Sequence, residues 1–511
     1  MNLGVVPFPC RVRESAAATL GGGALVVSAP GMEAVVGRAA ALARRAFGIE
    51  LTTGAEGDAV VVGLGGHSGP QETSGRDPRP ADRAGVREAH RIRALRDGRI
   101  EIAVDGEEGL FRALTTLAGI LGVRGSTTLP SEIDDAPRFS WRGLSLDVVR
   151  RWFPREEIER IIDLLALLKL NVLHLHLTDA QGWRFPVAGY PELTAEAPHY
   201  SREDLDALVA YARERYVTLI PEIDLPGHTA AVAAALPHLA PGPFPHPYVS
   251  YVDLDTPGVE EFVTAAIGEL VARFDSPYVH IGGDEAFGMP HGAYVASVER
   301  VAAMVRASGR TPVAWQEASR ASGWSSSDVL QLWVADRDRF DLDTAKQTFP
   351  VAYHALLEIA APLFAEAVGD PARAAAQGVP FIVSSSDPLY LDRKPSEPSL
   401  LTGQNERRAV LGHPGYEPTP SVSALTWDPA SQHDIVESGA VVDGLEAALW
   451  CETVESFDDV AQLLLPRLAF VAQKAWGEAT LDDVVAAARE QSVAWERLGF
   501  GAYYRSTDVF R

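Results

Sequence analysis

The chain is predicted to be an α/β protein: a (β/α)8 barrel preceded by a small α+β domain. Two observations lead there. From residue 138 onward, short apolar runs alternate with helical patterns until eight runs have accumulated, and this alternation is the sequence form of a closed parallel barrel. The residues with chemical character then fall where those runs end, which is where barrel enzymes carry their active sites. The expected organisation is 1–137 as a small non-catalytic α+β domain and 138–511 as the barrel with a C-terminal helical tail.

In the first unit, 25–27 and 60–62 read as strands around a helix over 32–47, and the Gly, Pro, Ser and Asp content of 65–85 predicts an exposed loop. Apolar alternation at 92–95 and 100–104, hinged on Asp97-Gly98, predicts a hairpin, and 109–121 has helical spacing. None of this unit shows evident chemistry. The barrel strands are expected at 143–147, 172–177, 218–222, 279–282, 312–314, 329–332, 381–384 and 445–448. Helices at 155–168 and 202–215 fit the crossovers. The stretch 337–378 exceeds what one crossover needs and implies an inserted helix pair, and helices over 466–476 and 482–498 are expected to close the barrel.

Composition narrows the function. Apolar content of 47% against 22% charged residues describes a folded globular chain. A net charge of -24 argues against nucleic acid or an anionic membrane as partner, since both need basic surface. No run approaches the length of a membrane helix. The N-terminus has no basic, apolar leader, so the expectation is a cytoplasmic protein. Two cysteines, Cys10 and Cys451, cannot make a disulfide framework. The oligomeric expectation is a monomer or homodimer.

The central stretch is His280-Ile-Gly-Gly-Asp284-Glu285, a short apolar strand running through two glycines into adjacent carboxylates. Two neighbouring acids out of bulk water repel, so one acquires a raised pKa and can serve as an acid near neutrality. An arbitrary Asp-Glu pair more often caps a helix. Here the other strand ends argue otherwise. They supply Asp147; His174, His176 and Asp179; Glu222, Asp224 and His228; Trp315 and Glu317; Trp333; Tyr390 and Asp392; and Trp450 with Glu452, with Trp427 in the loop before the last strand. A lone tryptophan is usually core, but several at one mouth among carboxylates suit the apolar faces and hydroxyls of a sugar ring. His174-x-His176 could also begin a metal site, because residues two apart share a strand face. No later strand end completes such a cluster, so neither metal nor cofactor is expected.

These motifs resemble glycoside hydrolase family 20, the β-N-acetylhexosaminidases, over almost the full length. The resemblance rests on Trp141-Arg-Gly-Leu-Ser-Leu-Asp147, on 169–179 with Gln181-Gly-Trp-Arg184, on Pro221-Glu-Ile-Asp-Leu-Pro-Gly-His228, on 280–285, on Tyr390-Leu-Asp392 and on Leu449-Trp-Cys-Glu452. Ala180 departs from it, since the family often has an acid there. The resemblance implies exo-acting, retaining, substrate-assisted removal of terminal β-linked GlcNAc or GalNAc from an oligosaccharide or glycoconjugate, through an oxazolinium intermediate. It implies Glu285 as acid and base, Asp284 as the residue orienting the acetamido group, and Tyr390 as donor to its oxygen. Trp315, Trp333, Trp450 and Trp427 would wall the pocket, Arg142 and Glu452 would hold ring hydroxyls, and Asp179, Asp224, His228 and Asp392 would support the site. Two other readings stay open: a retaining β-glycosidase using a protein nucleophile such as Glu317, and a non-catalytic carbohydrate-binding barrel.

Overall fold

The computed structural model describes residues 3–511 except 14–17, 21–23, 55–59, 65–75, 81, 83–86, 125–126, 245–248 and 335–339. Much of the loop expected at 65–85 therefore lies outside the described residues. The N-terminal domain is a seven-stranded sheet in the order Arg11–Arg13, Glu132–Asp135, His90–Ala94, Ile100–Val104, Val60–Leu64, Ala24–Ser28, Glu50–Thr53. The expected hairpin is present: His90–Ala94 and Ile100–Val104 pair antiparallel, and Gly98 takes the positive φ, +88°, that the turn requires. Helices Glu33–Phe47 and Glu107–Arg124 belong to the same domain and pack on each other.

Eight parallel strands then close into a barrel: β1 Trp141–Asp147, β2 Val172–His176, β3 Thr218–Glu222, β4 Tyr278–His280, β5 Thr311–Trp315, β6 Val329–Leu332, β7 Phe381–Val383 and β8 Val442–Leu449. Each coincides with an expected run to within a few residues. The runs were legible because a parallel strand between barrel interior and outer helices is buried on both faces and reads as a mostly apolar run, broken here by single polar residues such as His174 and Glu222.

The interior is filled in layers. Trp141, Val172, Ile220, Tyr278, Val313, Val329 and Ile382 form an apolar plug separate from the main core. His174, Glu222, His280, Gln331 and Glu446 are buried polar residues of the strands. At the mouth, Trp315, Trp333, Tyr390 and Ala448 cluster, with Trp450, Tyr416 and Phe364 packed against them.

Among the described residues, the long segment after β6 carries three α-helices rather than the expected pair: Leu342–Thr348, His354–Ala367 and Asp370–Ala376. It is pinned by a bidentate pair between Arg320 and Asp370, at 2.9 and 2.8 Å. The expected tail divides its work. Helix Arg467–Trp476 packs on β8 and β1, whereas Leu481–Arg497 packs on both helices of the N-terminal domain rather than closing the barrel.

Candidate active site

The carboxylate pair owes its placement to backbone geometry. After β4, Gly282 and Gly283 take φ of +70° and +100°, and Glu285 itself sits at +48°. A Cβ on Gly282 would lie 1.7 Å from Asp224 Oδ1, so only glycine lets this loop pass against the end of β3. The Gly283 N–H donates to Asp224 Oδ1 at 3.3 Å, and the Tyr294 hydroxyl donates to the Gly283 carbonyl at 2.6 Å. A left-handed Glu is strained, and such strain clusters at functional sites. The pair does not cap a helix, since the next one is His291–Ala307.

Both acids face His228, whose Nε2 lies 3.7 Å from Asp284 Oδ2 and 3.6 Å from Glu285 Oε2. His228 Nδ1 is 3.2 Å from Asp179 Oδ1. Burial works to lower the His228 pKa, but Asp179, Asp224 and Asp284 outweigh it, and the imidazole is held well above its ordinary value. Burial raises Glu285 to about 7, against the opposing pull of His228 and with further push from Asp284. Asp284 is raised too, again mainly by burial, and among the described residues its Oδ1 has no hydrogen-bond partner. An acid poised near neutrality beside a second carboxylate is the equipment for protonating a leaving group.

The aromatic wall forms beside this pair. Tyr390 stacks on Trp333 with centroids 6.4 Å apart and meets Trp450 edge-on at 5.9 Å. Trp315 lies 6.0 Å from Trp450. Two of the tryptophans are held from behind by carboxylates: Trp315 Nε1 donates to Glu222 at 3.0 Å, and Trp333 Nε1 donates to both Glu317 oxygens, at 3.2 and 3.0 Å. Glu317 is thus occupied in fixing Trp333, and burial raises its pKa well above the ordinary range. A nucleophile needs the opposite. Asp392 is buried, and neither of its oxygens has a hydrogen-bond partner among the described residues. Glu452 lies at the rim, 3.9 Å from Arg150.

Two expected site residues fall elsewhere. Arg142 is the second residue of β1, at the end of the barrel away from the mouth. Its guanidinium donates to the carbonyls of Lys169 (2.9 Å) and Phe139 (2.7 Å) and to Glu88 of the N-terminal domain (2.7 Å). It cannot reach a sugar at the strands' C-terminal ends. Arg150, just past the end of β1, stands there instead. It pairs with Asp179 at 2.6 Å and Asp147 at 3.2 Å and lies 5.6 Å over the Trp450 ring. Trp427 packs against the main core, next to Asp428, which pairs with Arg138 ahead of β1. Tyr416 and Phe364 complete the aromatic cluster instead, and neither belongs to a recognisable motif.

Among the described residues, three groups could bring ligand atoms to one ion: His174–Glu222–His280, His176–Glu222–Asp224 and Asp224–His228–Asp284. In the first two the donors are already committed to one another. His174 Nδ1 bonds Glu446 at 2.9 Å, and His176 bonds Glu222 at 2.5 Å and Asp179 at 2.8 Å. The His-x-His pair therefore serves hydrogen bonds within the barrel. Cys10 and Cys451 are both free.

A barrel whose mouth joins a neutral-range acid, a partner carboxylate and an aromatic wall defines a glycoside hydrolase. Comparison with known proteins gives the family. The profile for the glycosyl hydrolase family 20 catalytic domain matches residues 139–294 and 366–479, and the chain belongs to that family. It is 32% identical to a beta-N-acetylhexosaminidase of Cellulomonas fimi over 81% of this chain and 79% of that one. A beta-hexosaminidase of Akkermansia muciniphila is 28% identical over 76% of this chain and 79% of its own length. The structure of the family 20 beta-N-acetylhexosaminidase from Streptomyces coelicolor superposes with a TM-score of 0.79 at 28% identity, covering 100% of this chain and 99% of that one. A mutant Streptomyces plicatus beta-hexosaminidase in complex with the product GlcNAc gives the same TM-score and identity, over 100% and 98%.

Proposed function

We propose that this chain is an exo-acting, retaining β-N-acetylhexosaminidase that removes terminal β-linked GlcNAc or GalNAc with the substrate's own acetamido oxygen as nucleophile. The observation that carries the reading is Asp284: a half-buried carboxylate with a buried, unpartnered oxygen among the described residues, whose charge bears on Tyr390 of the aromatic wall. There it can accept the acetamido N–H and offset the positive charge that develops as the oxygen closes on the anomeric carbon. Tyr390 donates to that oxygen, while Trp315, Trp333 and Trp450 enclose the methyl group. Glu285, raised to about 7 and so still carrying a proton in a large fraction of molecules near neutrality, gives that proton to the departing glycosidic oxygen. The oxazolinium ion then opens to water, and Glu285 takes the water's proton. Arg150 and Glu452 bind ring hydroxyls at the rim. The placement of Glu317 behind Trp333 weighs against a protein nucleophile, and a pure binding protein has no use for a tuned acid.

The test is hydrolysis of matched aryl β-glycosides of GlcNAc, GalNAc and glucose, with a GlcNAc-thiazoline inhibitor. Turnover confined to the N-acetylated sugars and blocked by the thiazoline is the expected result. Equal turnover of the glucoside would falsify acetamido participation.

A further inference from the structure

Glu222 is fully buried at the end of β3, and its two oxygens face two different parts of the machinery. Oε1 accepts the Trp315 indole N–H at 3.0 Å and lies 2.9 Å from His280 Nδ1. Oε2 bonds His176 Nδ1 at 2.5 Å and lies 3.2 Å from His174 Nε2. From His176 the chain continues through Nε2 to Asp179 at 2.8 Å, from Asp179 to His228 at 3.2 Å, and from His228 to Glu285 at 3.6 Å. One oxygen therefore leads to the aromatic wall and the other to the acid. His174, anchored on its far side by Glu446 at 2.9 Å, fixes the carboxylate from below.

We propose that Glu222 is a positioning residue that sets the aromatic wall and the acid in register, so that the acetamido group and the leaving oxygen are presented together. This rests on the substrate-assisted reading above. A rigid carboxylate suits the task. Its two oxygens are a fixed distance apart, and each has its own partners, Trp315 and His280 on one side and His176 and His174 on the other. Burial alone would push Glu222 toward neutrality, but His176, His280 and His174 hold it well below the usual carboxylate range, so it stays an acceptor on both sides. Displacements below an ångström in such a register are costly, since a misplacement of about 1 Å can cost on the order of 10²-fold in rate.

The experiment compares Glu222→Gln, His176→Gln and Trp315→Phe in the full chain. One measurement is thiazoline affinity, which reads the acetamido pocket. The other is the dependence of kcat/KM on leaving-group pKa, which reads proton delivery. Glu222→Gln is expected to weaken the thiazoline and steepen the leaving-group dependence, each by about tenfold or more. Trp315→Phe should move only the first and His176→Gln only the second. A folded Glu222→Gln protein that changes one or neither overturns the proposal. Should that variant not fold, unchanged leaving-group dependence in His176→Gln overturns it equally, because the link to the acid would then be absent. The wild-type preference for N-acetylated sugars tests the underlying mechanism separately, so the two ideas can fail independently.

Discussion

At the end of the barrel that meets the N-terminal domain, Glu88 is buried among Arg79, Arg112 and Arg142, with contacts of 2.8, 3.0 and 2.7 Å. Glu108 pairs with Arg79 and Arg112 at 2.8 and 3.0 Å. At the mouth, Asp284 Oδ1, both oxygens of Asp392 and Nε2 of His228 have no hydrogen-bond partner among the described residues. The first cluster answers each of its carboxylates with guanidinium, and Glu88 is held well below the usual range although burial opposes this. The second leaves Asp224, Asp284, Glu285 and Asp392 raised, with burial the largest cause in each case. A buried cluster that satisfies itself holds two domains together. One that does not is completed by what binds there.

Substitutions can sharpen this contrast. Glu88→Ala strands the Arg142 charge, while Arg79 and Arg112 keep Glu108, and should cost about 3–5 kcal/mol of stability, read by denaturant unfolding, with KM of the surviving native enzyme unchanged. Glu285→Gln should leave stability nearly unaltered yet lower kcat/KM on poor leaving groups by about 10³-fold, and far less on activated aryl glycosides. Equal losses on both classes would remove Glu285 from the acid role. Asp284→Asn should reduce kcat by about 10²-fold, since its interaction strengthens in the transition state; an effect on KM alone would contradict that.

The two arginines offer a smaller test. Arg150→Lys should raise KM by about tenfold with little loss of Tm, whereas Arg142→Lys should lower Tm and leave KM alone, because a bidentate site does not accept lysine. The pH profile separates the clusters as well. Glu285 is raised to about 7, so kcat/KM should fall as pH climbs through that value, and Glu285→Gln should abolish the fall. Glu88 is depressed, so its contribution to stability is present above the ordinary carboxylate pKa and is lost only as acid protonates it. The contribution of Glu88 should therefore stay flat across the range in which activity changes.

The sequence showed the barrel plainly, and most of the residues it placed at the mouth gather there. All eight strands were visible because double-sided burial leaves a mostly apolar run of strand length. Asp284, Glu285, Trp315, Trp333, Tyr390 and Trp450 were legible because each follows such a run. Arg142 was misplaced although strand direction could have corrected it: the second residue of a strand points to the wrong end, and Arg150 lies past the right one. Trp427, Tyr416 and Phe364 could not be sorted, since they sit in a long loop and an inserted helix whose paths no local periodicity encodes. The Glu88 cluster was equally invisible, because a loop, a helix and the first barrel strand each contribute to it and no common periodicity links them.

The helix Leu481–Arg497 lies across the helices of the N-terminal domain, burying Val484, Ala488 and Trp495, and Gln491 donates to the Val6 carbonyl at 3.1 Å. During synthesis the ribosome releases the N-terminal domain more than three hundred residues before this cover. For that interval helix Glu33–Phe47 must expose apolar surface to whatever surrounds the nascent chain, and only the arrival of the late helix seals it. The order of translation thus leaves the small domain unfinished until a helix made after the barrel reaches it.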